Sequence, residues 1–283
     1  MADIHIETSQ TEQTVGGILT GNVLISSKFH FIYSQILLTL RIREVTRVED
    51  YPSGTTATKF IYKETHLVYN REYQIAEEGE VRNETQRVPF SIRLPPECPP
   101  TFQGSMCDVE YMLEVKILSN RSPLHKYETK IIARERLEEI APRPVLKEGD
   151  MFSVHFDTDT FCISKPLKGK LILLEDLHFN GVSFEIWNTE EAFADNHKSI
   201  KTNPTLKGYL ESDRIKRDNW TEFEFDLDSS IPVSTMGSNF QSSNELHVKL
   251  DATFHLDEDI RIPINLVYCY GARHTSVDFD DLV

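Results

Sequence analysis

Apolar residues recur at every second position in short runs along this chain. Phe90, Ile92 and Leu94 alternate with Ser91 and Arg93, and Val109, Tyr111, Leu113, Val115 and Ile117 alternate with Asp108, Glu110, Met112, Glu114 and Lys116. A period of two puts one set of side chains on one face of an extended backbone, so each run predicts a strand with one buried face. Between them lies Pro95-Pro96-Glu97-Cys98-Pro99-Pro100, where proline, lacking an N–H, ends ladder pairing. Upstream, Ile4 to Ile6 and Ile18 to Ile25 read as strands. Ile36, Leu38, Leu40 and Ile42 form a long alternating run that returns, after Tyr51-Pro52-Ser53-Gly54, as Phe60 to Tyr69. This predicts a long hairpin.

Residues 134 to 150 break the pattern with a charged stretch and then Pro142, Pro144 and Gly149. Alternation resumes at Phe152 to Phe156, Gly169 to Leu173, Val182 to Trp187, Phe223 to Leu227, Leu246 to Leu250 and Ile260 to Ile264. The segment Phe223-x-Phe225-x-Leu227, the loop holding Ile231-Pro232 and the strand after it repeat the plan of Phe90 to Ile117. Residues 190 to 203 are polar and predict a loop or short helix. Little helix is expected elsewhere.

The order Pro89-Phe90-x-Ile92-x-Leu94-Pro95, then Pro100-Thr101-Phe102-x-Gly104, then the strand around Tyr111, resembles the N-terminal domain signature of the arrestin-like family. The Leu19-x-Gly21-x-Val23 element before a long strand agrees with it, and Trp220, Phe223, Phe225 and Ile262-Pro263-Ile264 resemble the family's C-terminal domain. Cys107 stands where the family pattern carries a second Gly. The resemblance implies an all-β fold of two tandem immunoglobulin-like antiparallel β-sandwiches, each of roughly seven strands. The expected division is an N-terminal sandwich over 1–137, a linker over 138–149, a C-terminal sandwich over 150–274 and an acidic tail over 275–283.

Composition narrows function. The formal charge is −15 over 283 residues, which argues against nucleic acid, whose phosphates require a basic face. No apolar run approaches the roughly 20 residues of a membrane span. The start, Met1-Ala2-Asp3-Ile4-His5, carries no basic region or apolar core, so a cytoplasmic location is expected. Cys98, Cys107, Cys162 and Cys269 are scattered without metal or redox spacing, and reduced thiols are expected.

Chemistry is sparse. The ten histidines lie apart, without His-Glu-x-x-His or Gly-x-Ser-x-Gly arrangements, and no phosphate-cradling glycine loop is present. No catalysis, metal or cofactor is expected. Asp157/Asp159, Asp226/Asp228 and Asp257-Glu258-Asp259 have spacings that could collect calcium, although aspartate is also an ordinary turn residue. Arg214, Lys216 and Arg217 form the densest basic segment, with Lys201 and Lys207 upstream, and are a candidate contact for lipid headgroups or an anionic partner. Tyr51, Pro52, Ser53 and Gly54 occupy the place that the resemblance gives to a partner-inserting loop. Asp278, Phe279, Asp280 and Asp281 form a candidate acidic-hydrophobic tail motif.

The resemblance implies a non-catalytic adaptor or scaffold in intracellular protein transport. Its partners would be cytoplasmic tails of membrane proteins, coat or retromer-like subunits, or small GTPases, with peripheral membrane contact in reach. The first strand has Asp3, His5 and Glu7 in place of paired lysines, and no Pro-Pro-x-Tyr motif follows either Pro-Pro pair. Phosphate sensing and ligase recruitment are therefore not implied. The alternative from another class is a calcium-dependent phospholipid-binding tandem β-sandwich.

Overall fold

The structure, a computed structural model, describes residues 2–50, 59–82, 84–119, 122–135, 143–175, 178–216, 218–228, 230–252 and 258–268. The chain forms two compact units. The first comprises Met1–Glu135 completed by Ala192–Ser199 and Met236–Phe240, and the second holds the remainder. Among the described residues there is no α-helix, and a 3₁₀ turn lies at Ser212–Arg214.

Eleven strands build the first unit: β1 (Asp3–Thr8), β2 (Glu12–Thr14), β3 (Ile18–Ser26), β4 (Phe31–Tyr33), β5 (Gln35–Asp50), β6 (Phe60–Ala76), β7 (Gly79–Val81), β8 (Thr85–Arg93), β9 (Phe102–Gln103), β10 (Cys107–Ser119) and β11 (Ser122–Arg134). They pair as a small sheet, β1-β3-β8, a large one, β2-β11-β10-β5-β6, with β9 on β10, and a two-stranded one, β4-β7. The count exceeds the expected seven because short segments split off around the loops. Ile36, Leu38, Leu40 and Ile42 are fully buried, as are Leu113, Val115 and Ile117, which face them through the β10–β5 register.

The second unit runs β12 (Val145–Glu148), β13 (Phe152–Phe156), β14 (Thr160–Cys162), β15 (Leu167–Leu173), β16 (Phe179–Ala194), β17 (His197–Glu211), β18 (Thr221–Phe225), β19 (Thr235–Met236), β20 (Phe240–Ala252) and β21 (Glu258–Val267), with the ends of β16, β17, β19 and β20 falling in the segments that complete the first unit. Its sheets are β12-β13-β15-β18 and β14-β21-β20-β16-β17, with β19 on β20. The large sheets of the two units thus share one strand plan, and the fold is a pair of β-sandwiches.

A cross-strand pair marks the repeat. In the first unit Gly21 lies in register with Phe90, and in the second Gly169 lies in register with Phe223. A Cβ on Gly21 would come within 2.7 Å of Phe90 Cζ, and one on Gly169 within 2.5 Å of Phe223 Cζ. Each glycine therefore makes room for the ring that covers it, which is the physical content of the Leu19-x-Gly21-x-Val23 pattern. The loop before the central strand is tied down in both units as well. Tyr111 of β10 donates its hydroxyl to Pro99 O at 2.8 Å, and Asn244 of β20 donates Nδ2 to Pro232 O at 3.0 Å.

The sheets are antiparallel as expected, but for one short parallel edge pairing in each unit, β2 with β11 and β14 with β21. Two other expectations need correction. Residues 190 to 203 form the turn and the adjoining strand ends of the β16–β17 hairpin in place of a loop or helix. Asp195 and Asn196, both at positive φ (50° and 66°), make its turn, the conformation that matches the twist of two-residue hairpins. The inward positions of β16 include Asn188 and Glu190, both buried, so polar residues conceal the alternation. Cys162 is disulfide-bonded, against the expected reduced thiol. The parallel register sets it opposite Val267, a proximity that separation along the chain hides. Cys98 and Cys107 are buried. Cys107 has no left-handed backbone; the turn before β10 closes with Gly104 N–H donating to Cys107 O at 2.8 Å, and glycine is not required at position 107.

Candidate functional site

The outer face of the first unit's large sheet is a ladder of ion pairs. Arg47 pairs with Asp108, Arg43 Nε with Glu110 at 2.7 Å, and Lys130 with the other Glu110 oxygen at 2.8 Å. Glu114, only 2% exposed at its side chain, receives Lys116 at 2.8 Å and Lys126 at 2.5 Å. Burial opposes ionisation of Glu114, yet the two ammonium groups outweigh it and hold the carboxyl below the ordinary range. Leu37, Thr39 and Met112 on this face are buried.

In the second unit, a shallow cleft of about 600 Å³ opens over β16, β20 and β21, lined among others by Trp187, His247, Lys249, Asp259 and Arg261. His247 sits between Glu245 (2.7 Å) and Asp259 (3.5 Å) with its ring 5.5 Å from that of Trp187. Lys249 pairs with Glu185 at 3.2 Å and Arg261 with Asp259 at 3.0 Å. This set orients the imidazole of His247. Among the described residues no group of three His, Cys, Asp or Glu side chains could hold a metal ion. Both oxygens of Glu258, one member of the acidic loops, are spent on the N–H groups of Asp150 (2.5 Å) and Met151 (2.9 Å).

The basic segment falls at the end of β17. Arg214 closes the 3₁₀ turn and is exposed; Ile215 is buried and pins the turn; Lys216 is exposed while its N–H donates to Thr221 Oγ1 at 2.7 Å. The turn therefore presents Arg214 and Lys216 outward on a fixed backbone. Lys201 is exposed on β17, and Lys207 pairs with Glu185 at 3.4 Å. Arg217, Tyr51, Pro52, Ser53, Gly54, Asp278, Phe279, Asp280 and Asp281 lie outside the described residues.

The features that offer unsatisfied bonding capacity are the sheet edges. Among the described residues each large sheet ends on a long strand paired on one side only, β6 in the first unit and β17 in the second. Strand edges carry rows of main-chain donors and acceptors that another extended segment can use. On β6, Tyr69, Arg71 and Tyr73 alternate on one face; Arg71 lies 5.1 Å from the Tyr73 ring centroid and the two tyrosine hydroxyls are 3.3 Å apart. Burial and then the hydrogen bond with Tyr69 push the Tyr73 hydroxyl up to about 12. No motif announces this trio; only the period of two along Phe60 to Tyr69 hints at its strand.

The described residues thus form two β-sandwich units with open sheet edges and with Arg214 and Lys216 turned outward. Comparison with protein families matches residues 3–136 to the family described as Arrestin (or S-antigen), N-terminal domain, which supports an arrestin-like family for the first half of the chain. A search of curated proteins finds no match. No helix among the described residues is long and apolar enough to cross a membrane.

Proposed function

We propose that this chain is a non-catalytic adaptor or scaffold that binds protein segments in trafficking or signalling. The observation that carries the reading is the arrestin N-terminal domain over residues 3–136, combined with a long one-sided edge strand in each unit. The edges supply main-chain bonding for extended partners without a pocket. A fold alone serves many tasks; in this chain the surface features agree with the family's general role. The partners that fit are cytoplasmic tails of membrane proteins, coat or retromer-like subunits and small GTPases, met in the cytoplasm or at a membrane face. The exposed cations Arg214 and Lys216 are the contact for anionic groups on such partners or on lipid headgroups.

The test is affinity capture by the immobilised chain from cytosol and detergent-solubilised membranes, with calcium and with chelator, read by mass spectrometry. The adaptor function calls for the same membrane-protein or coat partners in both conditions. Retention that requires calcium and brings lipid without protein would replace it with the lipid-binding alternative.

A further inference from the structure

The two long edges are not equivalent. β17 is interrupted by Pro204 and Gly208, whereas the 17 residues of β6 contain neither proline nor glycine. The start of β6 is already occupied within the first unit: Glu64 accepts Asp195 N–H at 3.0 Å, and Tyr62 stacks on His197 at 3.8 Å. From Val68 to Gln74 the strand's ladder partner among the described residues is β5 alone. A bulge between Ile42 and Arg43 passes over Val68, so that Tyr69, Arg71 and Tyr73 share the face of Ile42, Leu40 and Leu38, while Asn70 and Glu72 share that of Arg41 and Thr39.

Charge separates this stretch from the rest of the sheet. Arg41, Arg43 and Arg47 all have carboxylate partners. Arg71 and Glu72, both exposed, form no ion pair among the described residues. Two opposite charges at consecutive positions of an open ladder project to opposite faces. Strand residues lie about 4.5–5.5 Å from the residue directly across, where opposite charges attract and like charges repel. The guanidinium of Arg71 is held against the Tyr73 ring, ready to meet a carboxylate.

We propose that Val68–Gln74 of β6 receives an extended segment of a partner protein as an added strand, with Asp or Glu facing Arg71 and an adjacent Lys or Arg facing Glu72. The inference rests on the protein-binding function above and names the edge and the partner chemistry. Tyr69 and Tyr73 favour aromatic or β-branched residues two positions to either side of the acid.

The experiment uses the full chain and fluorescent ten-residue peptides of alternating Thr and Val, with a central Glu-Lys, Lys-Glu, Gln-Gln or Lys-Lys pair, followed by anisotropy and by hydrogen exchange of β6. One of the two Glu/Lys orders should bind about tenfold more tightly than Gln-Gln, with protection confined to Val68–Gln74. Arg71→Glu should abolish that preference and raise affinity for Lys-Lys, and circular dichroism of the variant should match the parent. Absence of binding by every peptide, protection elsewhere, or indifference to Arg71→Glu overturns the assignment. If the variant still captures the partners that the parent chain captures, the edge assignment falls and the adaptor function stands; failure of the parent chain itself to capture any protein removes the function.

Discussion

The Glu44 carboxylate accepts the backbone N–H of Ser238 through both oxygens, at 2.9 Å each. Asn239 N–H reaches Glu44 Oε2 at 3.2 Å, and Glu44 is 1% exposed. The arrangement holds the Met236–Phe240 segment within the first unit and needs a glycine beside it, since a Cβ on Gly237 would lie 2.5 Å from Glu44 Oε1. Backbone donors around a buried carboxylate offset its desolvation. Replacing Glu44 with Ala strands two N–H groups and should cost about 3 kcal/mol, while Gln, which keeps one acceptor oxygen, should cost about half of that. Guanidinium midpoints measure both; equal stability of Ala and parent would show that the segment is held by something else.

Gly21→Ala and Gly169→Ala probe the repeated glycine–phenylalanine pair. Each added methyl meets a buried ring that cannot withdraw, so each should lower stability by about 1–3 kcal/mol, the ordinary cost of overpacking. Thermal melting gives the answer, and an unchanged midpoint for either would mean the facing ring can move.

Tyr111→Phe removes a single hydroxyl while keeping the ring. Burial pushes the Tyr111 hydroxyl well above the ordinary phenol range, and its one visible task is the 2.8 Å bond to Pro99 O. The loss should be about 1 kcal/mol, and Tyr111→Ala should cost about 3–5 kcal/mol through the cavity. Comparable effects of the two substitutions would contradict this division between bond and packing.

Acid should weaken the first unit. Burial disfavours the charged forms of Glu110 and Glu114, but Lys130 and Arg43 around the former, and Lys116 and Lys126 around the latter, hold both carboxyls below their unfolded values. A depressed folded pKa stabilises fully above the unfolded value, about 4.5, and that contribution fades as pH falls through the folded values. Urea midpoints should therefore be flat near neutrality and drop below about pH 4.5, with a smaller drop in Lys126→Met. A Lys126→Met variant whose pH profile overlays the parent would mean that the Lys126–Glu114 pair contributes nothing to the acid sensitivity.

Much of the fold was readable because the buried faces are apolar at period two: Ile36 to Ile42, Val109 to Ile117 and Phe152 to Phe156 all lie on strands where alternation put them. The hairpin of β16 and β17 was not readable, since its inward positions include Asn188 and Glu190 and its turn rests on two left-handed residues, Asp195 and Asn196. The basic turn at Arg214 and Lys216 was visible as composition, whereas the open edge at Arg71 emerges only once topology shows which strand lacks a neighbour. Partner-facing chemistry on an edge needs no motif, because the main chain supplies most of the bonding.

The most direct measurement of the adaptor reading is titration of the full chain with the cytoplasmic segment of a captured membrane protein, by calorimetry with chelator present. Saturable one-to-one binding, unchanged when calcium is restored, is the predicted result. No heat of binding with any captured segment, together with retention on anionic vesicles only when calcium is added, would contradict it.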